Sequence, residues 1–326
     1  MKKLFVTYFL GALILVACGS GKESDVQNDT WTFAPPVGVG LDTVLVDTMD
    51  LGNPFIVYEH TRNRYYMVGD GGYMWLSDDL RRWVGPYDVL QQDTASWIGA
   101  SPVVTSPEIH RFGDKYYYMA TFERPDVQAV GPDGKALARR SYVAMVADVI
   151  CGPYRTIDSK SSLLVESEMA AHPTFGIDYL NASYMIYTHQ GEQNGDGTVQ
   201  IVRFSDDLGR RVGEAYIMLS ASKNLWSGSE AYGVRRLSPV MEAPFLFITD
   251  EKEMGILFTS YIGNEKAIGV AYTETGEYGY NGPWIVEQTP LMTGNVGSAS
   301  IFTDFDGTKV MVVGKDTVIG NVRKCV

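Results

Sequence analysis

Two interleaved series of short motifs recur along this chain of 326 residues, and their common phase restricts it to a repeat architecture. In the first series a small residue or a Pro opens an apolar run, a polar turn follows, and an aromatic or aliphatic strand returns. Asn53-Pro54-Phe55-Ile56-Val57-Tyr58 leads to Tyr65-Tyr66-Met67-Val68-Gly69, and Ser106-Pro107-Glu108-Ile109 leads to Tyr116-Tyr117-Tyr118-Met119-Ala120. His172-Pro173-Thr174-Phe175 leads to Tyr184-Met185-Ile186-Tyr187, and Glu242-Ala243-Pro244-Phe245-Leu246-Phe247 to Ile256-Leu257-Phe258-Thr259. The fifth is Ser298-Ala299-Ser300-Ile301-Phe302, returning as Val310-Met311-Val312-Val313. Each reads as two strands around a turn.

The second series is Trp83-Val84-Gly85-Pro86-Tyr87, Cys151-Gly152-Pro153-Tyr154, Arg211-Val212-Gly213-Glu214 and Asn281-Gly282-Pro283-Trp284. Its glycines are spaced by 67, 61 and 69 residues, in step with the first series. Each unit therefore holds about four strands, and no helical periodicity intervenes. The expected fold is all-β: a five-bladed β-propeller of four-stranded antiparallel blades around a central channel. Aromatic residues at 12% and 34 glycines agree with it, since rings suit pleated strands and Gly suits turns. Little chain remains after Gly314, so the stretch 31–46, with its apolar Val44-Leu45-Val46, is expected to complete the fifth blade. First strands line the channel, so positions 53, 106–108, 172, 242 and 298 are expected to meet at one mouth.

The blade-opening motifs, with Met185-Ile186-Tyr187-Thr188-His189-Gln190, Gly195-Asp196-Gly197-Thr198 and Ser205-Asp206-Asp207-Leu208, make the chain resemble glycoside hydrolase family 43. The resemblance covers about residues 40–315. It implies a glycosidase cleaving arabinose- and xylose-type linkages with inversion. A carboxylate base activates water, a carboxylic acid protonates the leaving oxygen, and another Asp tunes that acid. It gives the acid as Glu242, in Glu242-Ala243-Pro244-Phe245. The family's base is the Asp of an Asp-Pro pair, where this chain has Asn53-Pro54. An amide is no useful proton acceptor near neutral pH. The tuning Asp is matched by His172, before Pro173, and a blade-five His is replaced by Ser298. His189 falls where relatives also carry His.

Trp97, Glu108, His189 and Ser298 are the candidate substrate contacts. Trp75 and Trp226 fit either sugar stacking or blade packing. Glu59, Glu108 and Asp178 are alternative carboxylates for the base. His60 and His110 read as scattered surface residues, and the four His are too dispersed for zinc. No metal ligand set is read. No cofactor is expected, and an axial calcium ion has no sequence support. Two functions stay open: a family-43-like glycosidase on pentose-containing glycans, and a catalytically inactive glycan-binding propeller.

The N-terminus reads as an export signal. Basic Lys2 and Lys3 precede the apolar stretch 4–16, shorter than the about 20 residues a spanning helix needs. Leu15-Val16-Ala17-Cys18-Gly19 resembles a bacterial lipobox. The expected organisation is a signal peptide over 1–17, a tether over 18–30 lipidated at Cys18, and one propeller over 31–326. An exported lipoprotein follows, anchored to a bacterial outer membrane on its surface or periplasmic face. Carbohydrate is the expected partner, and the protein is expected to be a monomer. A net charge of −12 argues against nucleic acid. Of the cysteines left after processing, whether Cys151 and Cys325 pair is open.

Overall fold

The apolar runs of the repeat pair into hairpins, and the hairpins extend into five antiparallel sheets. The computed structural model describes residues 40–91, 93–130, 134, 136–157, 169–178, 181–224, 226, 239–249, 253–273, 280, 282–316 and 323–325. The expected signal peptide, Cys18 and the tether lie outside the described residues.

Blade one contains β1 (Asp42–Leu45), β2 (Phe55–Glu59), β3 (Arg64–Val68), β4 (Met74–Ser77) and β5 (Arg82–Tyr87). Blade two contains β6 (Val103–Phe112), β7 (Lys115–Val130), β8 (Ala136–Ala147) and β9 (Arg155–Thr156). Blade three is β10 (Ala170–Ile177), β11 (Ser183–His189), β12 (Thr198–Phe204) and β13 (Arg211–Ser220). Blade four is β14 (Glu242–Ile248), β15 (Met254–Ile262), β16 (Glu265–Thr273) and β17 (Trp284–Val286). Blade five is β18 (Val296–Thr303), β19 (Lys309–Asp316) and β20 (Arg323–Cys325). The first strands neighbour one another in a closed cycle, β2 to β6, β10, β14, β18 and back to β2. That closure is the five-bladed propeller the repeat implies, and it leaves no inner edge to pair with another chain.

The second strands explain why the repeat is so apolar. Met67-Val68, Tyr118-Met119, Met185-Ile186-Tyr187 and Ile256-Leu257-Phe258 are buried without alternation, because each blade is covered on both faces by its neighbours. The largest core cluster runs round the axis through Phe55, Ile109, Phe245 and Ala299. In the second series the Gly85-Pro86, Gly152-Pro153 and Gly282-Pro283 bonds are all cis. Gly152 has φ +77, and a Cβ there would meet the Val89 carbonyl at 2.6 Å, so this joint between blades admits Gly alone.

The closure differs from the expectation in one respect. β1 does not complete blade five. It pairs antiparallel with β5, Val44 opposite Trp83, as a fifth strand on the outer edge of blade one. Blade five takes its third strand from β20, Gly314 opposite Cys325. Val44 and Val46 pack against the cluster holding Trp83 and Met67, so burial on blade one decides the pairing. Cys151 is buried and in no disulfide.

Candidate functional site

Each first strand opens with the same irregularity. Asn53, Ser106, His172, Ala243 and Ser298 have φ of 48, 49, 51, 46 and 53, the left-handed region. Pro follows the first four, and Ala299 the fifth. The register breaks at these places: Thr105/Glu108, Ala171/Thr174, Glu242/Phe245 and Gly297/Ser300. A Pro has no N–H for a ladder, so X-Pro belongs in such a bulge, which re-aims the preceding side chain. Left-handed backbone costs a non-Gly residue roughly 1–3 kcal/mol, so five of them side by side need restraint.

For three of the five, restraint comes from the preceding blade. The backbone N–H of His172 donates to Thr121 Oγ1 at 2.7 Å and that of Ser298 to Thr259 Oγ1 at 2.8 Å. The N–H of Ser106 donates instead to a carboxylate, Asp70 Oδ1, at 2.9 Å. Thr121, Thr188, Thr259 and Gly314 occupy one register position, opposite Thr105, Ala171, Glu242 and Gly297. Asp70, whose N–H bonds Gly52 O at 2.8 Å, holds that position in blade one.

The ring side chains bond one another as well. Asn53 Nδ2 donates to both Asp70 oxygens, at 2.8 and 2.9 Å, and Asn53 Oδ1 accepts from the Ser298 hydroxyl. A carboxylate only accepts, so the two partners together fix which way the amide faces. Ser106 Oγ lies 2.6 Å from His172 Nδ1. Asn53, Ser106, His172, Ala243 and Ser298 line a single cavity on the axis, of about 30 Å³. That volume holds about two waters, so anything larger lies across the mouth. Glu242 precedes ring residue Ala243, opposite Thr259 and half-buried.

One layer below the ring, Glu108 lines the cavity with Phe55 and Ser300. Burial raises its carboxyl above the ordinary range, against the hydrogen bond with His110, which lowers it. Its Oε2 is 2.7 Å from His110 Nε2, and the His110 ring packs against Phe55 and Phe175 at 5.5 and 5.6 Å. His110 is thus an axial residue, not a surface one. Its two-residue offset from Glu108 on β6 puts both on the same face. His60 is exposed on its turn.

The other candidate carboxylates sit at the far ends of their strands. Glu59 and Asp178 are each six residues from a ring residue, roughly 20 Å along an extended chain. Glu59 Oε2 accepts from Thr61 Oγ1 and the Arg62 N–H at 2.6 and 2.9 Å. Asp178 caps its turn through the Ala182 N–H at 2.8 Å and takes the Tyr184 hydroxyl at 3.1 Å. Both are turn caps, so neither stands as a base.

At the rim, His189 Nε2 lies 2.7 Å from Gln193 Oε1 and its Nδ1 3.2 Å from Gln200 Nε2. Next to it Gln190 accepts from Arg140 across blades two and three, and Arg140 pairs with Glu123 opposite it within blade two. Trp97 is half-buried in the joint between blades one and two, its carbonyl accepting from Arg124 Nη1 at 2.5 Å. Trp75 packs against the cluster shared by blades five and one and against Gly85, and Trp226 stacks on Phe258 with ring centres 5.8 Å apart. A Cβ at Gly269 would lie 2.4 Å from the Phe258 ring and 2.5 Å from that of Trp226. Blade packing, not sugar stacking, explains these two tryptophans.

Asp70, Arg140, Glu123 and Gln190 were not legible as site residues from the sequence motifs. A signal for Asp70 existed: extended by one residue, the repeat aligns it with Thr121, Thr188 and Thr259. Among the described residues no group of three or more His, Cys, Asp or Glu is arranged to hold a metal ion.

None of the curated proteins matches the chain by sequence. Its structure is similar to an endo-arabinase from Bacteroides thetaiotaomicron, with 21% identity, 87% of this chain and 95% of that one covered, and a TM-score of 0.74. It is also similar to an endo-1,4-beta-xylanase from the same organism, at 17% identity, 88% and 91% coverage and a TM-score of 0.64. An alpha-L-arabinanase of Cellvibrio cellulosa, complexed with arabinohexaose, is similar at 14% identity, 85% and 91% coverage and a TM-score of 0.60. These likenesses establish the propeller fold. Residues 46–316 match the sequence profile described as glycosyl hydrolases family 43, most of the chain, and on that match the protein belongs to this family.

Proposed function

We propose that the protein hydrolyses pentose-containing glycans of the arabinose and xylose type at the mouth of the ring, with inversion at the anomeric carbon. The observation that carries this reading is Glu242, a half-buried carboxyl beside the ring in a chain of family 43. Relatives of the same fold are an endo-arabinase, an endo-xylanase and an arabinanase bound to arabinohexaose. In this reading Glu242 protonates the leaving oxygen, Asn53 stands in the base position and His172 in the position that tunes the acid. An inverting pair needs a gap of about 6.5–9.5 Å to admit the water, and a channel mouth offers such a gap between opposite blades. Trp97, Glu108, His189 and Ser298 are the candidate glycan contacts in this reading, supported for Glu108 and Ser298 by their place in the cavity lining.

The test is turnover of aryl pentosides and pentose oligosaccharides. Reducing-sugar release by the wild type, falling by about 10²–10⁴ in Glu242→Gln, is expected for loss of the general acid. Release no greater than that of Glu242→Gln counts against hydrolysis. The amide at Asn53 and the imidazole at His172 favour a second reading, a glycan-binding propeller without turnover. It is distinguished by saturable binding of the same oligosaccharides in calorimetry with no product. We further propose that lipidation of Cys18 anchors the protein to the outer membrane, which Cys18→Ser and membrane fractionation test.

A further inference from the structure

Hydrolysis by water needs a group that takes the water's proton, and the ring offers few. Asn53 is an amide, and Glu108 lies a layer below, bonded to His110. Asp70 is different. It is half-buried, lies two residues beyond the end of β3, and contacts Asn53 Nδ2 through both oxygens, at 2.8 and 2.9 Å. Threonines at 121 and 259 restrain the next blade with a neutral hydroxyl, and blade one does the same task with a carboxylate. Restraint alone therefore does not require the charge. What the charge adds is a proton acceptor one hydrogen bond from Asn53.

We infer that Asp70 is the catalytic base of this site and that Asn53 is its positioning partner, the two together doing the work of a single carboxylate at position 53. This rests on the hydrolase reading above. Asn53, its amide fixed between Asp70 and the Ser298 hydroxyl, holds the water. As the water oxygen bonds to the anomeric carbon, its O–H bond breaks and the proton passes to the Asp70 carboxylate. The glycosidic C–O bond breaks with its electron pair on the leaving oxygen, which takes the proton of Glu242. Asp70 then returns its proton through solvent, and Glu242 regains one.

A base at Asp70 responds to substitution at Asn53 as a merely structural Asp70 does not. Asn53→Asp alone does not create a better base, because it sets two carboxylates about 3 Å apart, where one proton is shared. The titratable groups around the pair are Tyr118 of β7, which burial and then the Asp70 charge hold well above its ordinary range, and His172 beyond Ser106. Glu242 stands on β14 at the same mouth.

The experiment compares Asp70→Asn, Asp70→Thr, Asn53→Asp and Asn53→Asp/Asp70→Thr. The Thr variants keep the oxygen that restrains Ser106, as Thr121 and Thr259 do for their neighbours, so they separate charge from fold. Expected are a fall in kcat of about 100-fold or more in Asp70→Asn and Asp70→Thr, with KM within about threefold and the acid limb of the pH profile lost. The double variant is expected within about tenfold of wild type. Carboxyl 13C NMR is expected to show two separated titrations for positions 53 and 70 in Asn53→Asp, collapsing to one in the double variant. Wild-type kcat with an unchanged acid limb in Asp70→Thr overturns the inference. So do two independent, ordinary titrations in Asn53→Asp. If the wild type turns over no glycoside, the hydrolase reading fails and Asp70 is not a base, and the NMR titration then shows only whether the pair shares one charge.

Discussion

Thr259 and Thr188 occupy equivalent register positions on neighbouring blades, opposite Glu242 and Ala171, yet they are expected to respond in opposite ways to the same substitution. Thr259 is 2% exposed, and its Oγ1 accepts from the Ser298 N–H at 2.8 Å. Thr259→Val keeps the shape, removes that acceptor, and leaves the N–H of a left-handed residue unanswered. An unsatisfied buried donor costs about 1–3 kcal/mol, and half-buried Ser298 places the loss at about 1–2 kcal/mol. Thr188 is fully buried, and its Oγ1 has no hydrogen-bond partner among the described residues. Thr188→Val removes a desolvated hydroxyl that returns nothing, so its effect is expected to be neutral or stabilising by up to about 1 kcal/mol. The assay is guanidinium unfolding followed by tryptophan fluorescence, with Thr259→Ser as the control that retains the acceptor. A midpoint unchanged in Thr259→Val, or lowered equally in both Val variants, refutes the idea that the hydroxyl restrains the ring.

Glu59 offers a pH test of the turn-cap assignment. Burial raises its carboxyl, but hydrogen bonds from Thr61 and Arg62, with the Arg62 charge, outweigh burial and hold it below its ordinary value. A depressed carboxyl stabilises above its unfolded pKa and loses that contribution as pH falls through the folded value. Glu59→Gln is therefore expected to lower Tm at pH 7 and to converge with wild type as the pH falls below the usual carboxylate range, with kcat unchanged. Convergence on raising the pH instead contradicts the assignment. Trp226→Ala is expected to destabilise the fold by roughly 2–3 kcal/mol through its lost stack on Phe258, while leaving KM within about twofold. A KM effect without a stability effect returns Trp226 to the sugar site.

The repeat made most of the propeller legible because period and phase survive in sequence when every blade solves the same packing problem. The ring was legible for the same reason: an X-Pro pair whose first residue is left-handed opens the first four units, and Ser298-Ala299 opens the fifth. The partner of β1 was not. Val44-Leu45-Val46 suits any open edge, and only its packing against the Trp83 cluster selects blade one. His110 was misread as surface although its parity with Glu108 on β6 points it to the axis. Asp70 sits where three other blades carry Thr, one residue beyond the end of the apolar run at Gly69. Its contacts cross from β3 to both Asn53 and Ser106, and such contacts depend on register between strands rather than on spacing along the chain.

The stereochemistry of the first product tests the central claim most directly. Proton NMR of a pentose oligosaccharide during its first turnovers reads the anomer before mutarotation mixes it. Inversion is expected from an acid at Glu242 and a base on the opposite side of the channel mouth, with the signal lost in Glu242→Gln. Retained configuration, or turnover that survives Glu242→Gln undiminished, contradicts it.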